Sequence, residues 1–130
     1  MFYQRLVGLF AFIVIFVSTT SPAHAENAWN SASTKSTALK WELSYLALSA
    51  IDTAETIDCL NRGMCSEANP LFGKHPTPAK LIAAILAAGA LHFAVFTHTN
   101  ARDSKTALRF AQISAGVQGG VVLLNARFMF

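Results

Sequence analysis

Charge is scarce in this sequence. Only 13% of its 130 residues are Asp, Glu, Lys or Arg, about half the share typical of a soluble domain. A domain this small has a high surface-to-volume ratio and needs many charges to cover itself. The shortage disfavours an ordinary soluble enzyme, and an apolar content of 53% disfavours disorder. The basic residues that exist are scattered (Arg5, Lys35, Lys40, Arg62, Lys74, Lys80, Arg102, Lys105, Arg109, Arg127), with no aromatic–basic interleaving. No nucleic-acid partner is therefore expected. Also missing are a nucleotide-binding glycine pattern, a G-x-S-x-G elbow, an H-E-x-x-H helix and a C-x-x-C pair. Cys59, Cys65 and His75 offer three metal ligands at poor spacing. No metal and no cofactor are expected.

Long apolar runs are what the sequence does have. Residues 1–25 read as a secretory signal. Arg5 is a minimal basic start, Leu6–Val17 an apolar core, and Ala23-His24-Ala25 a small-x-small site before Glu26. The competing reading is an uncleaved anchor helix. Residues 26–37 are rich in Ser, Thr and Asn without an apolar period, and read as a flexible polar tail.

Three apolar segments follow, at about 38–58, 79–97 and 106–127. The first is the least apolar. At about 100° per residue, Tyr45, Ser49, Asp52, Thr56 and Cys59 share one narrow stripe. Such a helix spans a bilayer only with that stripe turned toward other helices. The second is interrupted by His92, which shares a small-residue face with Ala84 and Ala88. The third carries Gly116-x-x-x-Gly120, with Ala111, Ala115 and Gly119 on the neighbouring ridge. Glycines inside a soluble helix cost up to about 1 kcal/mol each, whereas in lipid they mark a close-packing face. Ala84, Ala88, Gly116 and Gly120 are thus the candidate packing residues. The loop at 59–78 holds both cysteines and three prolines, and residues 98–105 read as a polar turn.

The expected fold is all-α: a small transmembrane bundle of three mature helices, plus the signal or anchor helix. Four of the seven acids fall between Asp52 and Glu67. An ionisable residue inside a spanning helix costs about 3 kcal/mol and is a functional candidate by default. Asp52, Glu55, Thr56 and His92 are the intramembrane polar candidates, with Arg127 a plausible partner for Glu55 or Asp58. His92 is expected roughly level with Tyr45 and Ser49 if its helix runs antiparallel. Cys59 and Cys65 are a candidate disulfide if their loop is outside the cytoplasm. In the loop, Asn69 before Pro70 is pushed to an extended or turn conformation.

The run Ala50-Ile51-Asp52-Thr53-Ala54-Glu55-Thr56, followed by Glu67-Ala68-Asn69-Pro70-Leu71-Phe72, resembles a group of small bacterial membrane proteins. In that group an Asp-x-x-x-Thr helix precedes a Glu-x-Asn-Pro loop. The resemblance covers roughly residues 38–127. It implies placement in a membrane and points to Asp52, Thr56, Glu67, Asn69 and Pro70. It implies no reaction, and the cysteine pair and the signal-like start depart from it.

These features give an expected location in a bacterial inner membrane, multi-pass, with the bilayer and a second copy or a larger membrane protein as partners. A structural or accessory role is the first expectation. A membrane enzyme or an ion- or proton-coupled carrier component using Asp52, Glu55 and His92 is the second. A secreted helical bundle is the third. A cleaved signal puts the 59–78 loop inside, whereas a disulfide favours the reverse. With four basic residues on the loop side (Arg62, Lys74, Lys80, Arg127) and five opposite, charge bias leaves both orientations open.

Overall fold

The three apolar segments fold as three helices. A computed structural model describes residues 28–67, 72–73 and 75–126. The signal-like segment 1–25, Asn69, Pro70, Lys74 and Arg127 lie outside the described residues. Helix α1 spans Ala28–Asn61, α2 Pro78–Arg102 and α3 Ser104–Ala126. No strand occurs among the described residues.

Helix α1 has 34 residues, about 51 Å of rod. It starts ten residues before the expected 38, so most of the polar segment expected to be a flexible tail is helical. Nothing in Ala28–Thr37 breaks a helix: the stretch has no Gly or Pro. Thr37 Oγ1 donates to Ser33 O at 3.0 Å and Ser44 Oγ to Lys40 O at 3.0 Å, so these hydroxyls are absorbed by their own helix. The far end closes as a Schellman motif. Met64 N donates to Cys59 O and Gly63 N to Leu60 O, and Gly63 supplies the positive φ of 66° that the motif requires. Cys59 and Cys65 are paired as a disulfide across this turn, with Cα atoms 5.7 Å apart.

Helix α2 starts where its sequence says it should. Thr77 Oγ1 accepts from Lys80 N at 3.3 Å, and Pro78 occupies the first turn. Its end differs from the expected turn at 98–105. Helix persists to Arg102, and Asp103 alone separates α2 from α3. Thr97 and Thr99 bond back to Ala94 O and Val95 O, which keeps this polar stretch helical. Asp103 then serves both helices. Its amide donates to Thr99 O at 2.7 Å, closing α2, while Oδ1 accepts from the amides of Lys105 and Thr106, capping α3. Oδ2 accepts from the Thr106 hydroxyl at 2.6 Å.

The Thr106 hydroxyl, with the two amides, holds the Asp103 carboxyl below the usual carboxylate range. A depressed folded value stabilises the fold above the ordinary carboxylate range and is lost as pH falls through the lowered value. Asp103→Ala is therefore expected to cost about 1 kcal/mol at neutral pH. That difference should shrink on acidification, as read by thermal unfolding at the two pH values.

The helices run up, down, up. Ala38 of α1 packs with Phe96 of α2 and with Ala107 and Ala111 of α3 at one end. Further along, Asp52 of α1 meets Gln118 and Asn125 of α3. So α1 and α3 are parallel neighbours and α2 is antiparallel to both. On α1 the inward positions are Ala38, Glu42, Tyr45, Ser49, Asp52 and Cys59, all buried, following the alternating four-three spacing of a helix seam. On α3 they are Ser104, Ala107, Ala111, Ala115, Gln118 and Asn125.

Gly116 and Gly120 do not pack helices together within the bundle: a Cβ added at either would meet nothing within 4 Å. The α1–α3 contact instead uses the alanine ridge beside them. Gly89 and Gly119 are the glycines that do face a helix, against Leu46 and Leu48. Ala84 and Ala88 are only half-buried.

Candidate functional site

The bundle buries several polar side chains beside its apolar core and leaves large apolar side chains exposed. Glu42, Ser49, Asp52, His92, Ser104, Gln118 and Asn125 are buried. Leu86, Ile113, Val117 and Leu123 are each more than 60% exposed. Soluble domains arrange these classes the other way round. Helices α2 and α3 are each long and apolar enough to cross a membrane.

The interior polar groups form two separate clusters. In the first, His92 bridges all three helices. Its Nδ1 lies 2.9 Å from Glu42 Oε1 on α1, and its Nε2 lies 3.1 Å from Ser114 Oγ on α3. The imidazole is stacked between two rings, Tyr45 at 3.9 Å and Phe110 at 4.6 Å between centroids. Glu42 is 0% exposed, and its second oxygen, Oε2, has no hydrogen-bond partner among the described residues. Such a pair, removed from water and held by rings on both sides, can exchange a proton internally but cannot readily hydrate.

In the second cluster, Asp52 is held by two amides of α3. Asn125 Nδ2 donates to Oδ1 at 2.7 Å and Gln118 Nε2 to Oδ2 at 3.1 Å. Gln118 and Asn125 are seven residues apart, two turns on one face, so a single carboxylate ties α1 to both levels. Glu67 is half-buried in the loop.

The expected grouping of Asp52, Glu55 and His92 is thus divided. His92 does sit level with Tyr45, as an antiparallel α2 implies, but its acidic partner is Glu42. The physical reason is depth: Glu42 is ten residues before Asp52, about 15 Å along the helix. Glu55 and Thr56 are half-buried. Asp58 pairs with Arg62 one turn away, N–O 3.1 Å; the Arg127 pairing with Glu55 or Asp58 lies outside the described residues. The Glu-x-Asn-Pro motif is described only at Glu67.

Glu42, Ser114, Gln118 and Asn125 are not among the candidates read from sequence. A signal for Glu42 existed, because it extends the Tyr45–Ser49–Asp52 stripe by one step toward the amino terminus. Gln118 and Asn125 carried the same kind of signal, a seven-residue polar repeat in an otherwise apolar helix. Among the described residues no group of three His, Cys, Asp or Glu side chains is arranged to hold a metal ion. A scan against protein-family models finds no match, and searches of curated proteins and of solved structures find none either.

Proposed function

We propose that this chain is a small integral membrane protein whose three helices cross the bilayer, with a structural or accessory role beside a larger membrane protein or further copies of itself. The single observation that carries the reading is the inverted distribution of side chains. Water would have to solvate the exposed Leu, Ile and Val of α2 and α3 while the acids stay buried. Lipid removes that conflict, because it costs nothing to cover apolar side chains with acyl chains and it drives ionisable groups inward. Helix α1 is too polar to span alone. It spans as the third member of a bundle, its acids turned to α2 and α3. Its length of about 51 Å exceeds the hydrocarbon core of about 30 Å, so its amino-terminal turns stand out in water.

The disulfide supports an orientation. Cys59–Cys65 lies at the α1 carboxy-terminal end, and disulfides persist on the oxidising side of a membrane. The loop then faces the periplasm of an inner-membrane protein. Lys35, Lys40, Arg102, Lys105 and Arg109 lie at the opposite, cytoplasmic end. That orientation goes with a retained amino-terminal segment and not with cleavage after Ala25.

Alkaline carbonate extraction is the test. The chain is expected to stay in the membrane pellet, and release into the supernatant overturns the reading. In intact cells, impermeant thiol tags are expected to reach Cys59 and Cys65 only after an impermeant reductant. Tagging that needs permeabilised cells reverses the orientation.

A second reading, a component of a proton- or ion-coupled carrier, is favoured by one observation: Glu42, His92 and Asp52 are all ionisable and all buried.

A further inference from the structure

We propose that Glu42, His92 and Ser114 form a proton-binding site in the interior of the bundle. The inference deepens the membrane reading, which supplies the low-dielectric surroundings, and it names the proton as the ligand.

The argument is a count of charge. A neutral imidazole beside a carboxylate leaves a net charge of −1 on the pair. Glu42 is wholly buried, its Oε2 has no hydrogen-bond partner among the described residues, and its described partner is His92. The groups facing the pair are the Tyr45 ring from α1, and the Phe110 ring and Ser114 hydroxyl from α3. Tyr45 is the only titratable one of these, and it is an acid that supplies no positive charge. An uncompensated buried charge is far costlier than a neutral pair. One additional proton removes it.

That proton has two resting places. On the imidazole it makes an ion pair, with Nδ1–H donating to Glu42 Oε1. On the carboxyl it makes a neutral acid, with Oε1–H donating to Nδ1. Passing between them breaks one N–H bond as one O–H bond forms across the same 2.9 Å contact, and no other reactant takes part. In both forms Nε2–H donates to Ser114 Oγ. When the proton leaves, Nδ1–H still donates to Glu42 and the Ser114 hydroxyl turns round to donate to Nε2. A hydroxyl is the side chain suited to this position because it both donates and accepts. The aromatic rings above and below keep water from replacing the proton. Since the three residues come from three helices, the bound proton also decides whether the joint between them is neutral.

The test uses the full chain in phospholipid vesicles, with 15N-labelled histidine and 13C-labelled glutamate, followed by solid-state NMR across pH. His92→Gln identifies the His92 signals. The Glu42–His92 pair is expected to hold two protons and to pass to one in a single step as pH rises. Glu42→Gln removes the anion and is expected to move the His92 step to lower pH by at least about tenfold in proton concentration. Ser114→Ala is expected to move it less than about threefold.

A wild-type pair that holds one proton throughout overturns the proposal. So does a His92 step that Glu42→Gln leaves in place, or that Ser114→Ala shifts as far as Glu42→Gln does. Should Glu42→Gln fail to accumulate, the wild-type proton count decides alone. Failure of the membrane reading shows separately, as a chain that does not sediment with vesicles, and the proton count is then read on the free protein.

Discussion

Replacing His92 with alanine is expected to destabilise the bundle by about 3–5 kcal/mol, the cost of leaving one member of a buried, hydrogen-bonded acid–imidazole pair without the other. Glu42 would lose its described partner while remaining 0% exposed. Two stacked ring contacts, with Tyr45 and Phe110, would go as well. The cycle matters more than the single variant. Glu42→Met combined with His92→Leu removes both charges and keeps the volume, so the double variant should recover most of the loss. Denaturant titration of the micelle-bound protein, followed by circular dichroism, reads the double variant beside its two singles, Glu42→Met and His92→Leu. If the double variant is as unstable as the two singles summed, the residues act independently and the pairing has no energetic content.

The second large effect is expected at Ala111. Ala38, Ala107 and Ala111 are all 0% exposed and pack in one buried cluster where α1 meets α3. Ala111→Leu puts three more carbons where no room exists, and overpacking of this kind costs about 1–3 kcal/mol. Because α1 and α3 also hold Asp52 between them, splaying them at Ala111 should loosen the Gln118 and Asn125 contacts. Gly120→Leu is the contrasting variant. A Cβ there meets nothing within 4 Å, so stability should be unchanged within about 0.5 kcal/mol. Crosslinking of Gly120→Leu then reports contact between copies alone. Equal losses at the two positions would place the packing face on the glycines after all.

The number and order of helices were legible because apolar run length and turn punctuation are local properties. The α1 stripe was legible too, since 100° per residue is a property of any helix. The ends were not. Residues 28–37 lack an apolar period, which is the signal that distinguishes a helix from a loop in sequence, yet they also lack any residue that prevents a helix. At 98–102 polar side chains suggested a turn, but Thr97 and Thr99 satisfy themselves on helix carbonyls. Gly116-x-x-x-Gly120 announces a surface that permits close approach without saying which helix approaches. His92 was placed at the right depth, because depth follows from counting residues. Its partner depends on rotation about the helix axes, which the packing of the Ala38–Ala107–Ala111 ridge determines. Asp52 was recognised as buried and costly, whereas its two amide partners come from a helix sixty-six and seventy-three residues away.

The single residue between α2 and α3 leaves that joint no slack. Helix α2 cannot slide along α3 without undoing the Asp103 cap, whereas a tilt with Asp103 as fulcrum would leave the cap in place. His92 stands eleven residues from that fulcrum, about 16 Å, and Pro78 twenty-five residues from it, about 37 Å. A rigid rod therefore multiplies any displacement at His92 by about 2.3 at its far end. That far end carries the 62–77 loop, where Lys80 Nζ donates to Phe72 O at 3.1 Å. Helix α2 is thus a lever, with its short arm at the imidazole and its long arm at the loop.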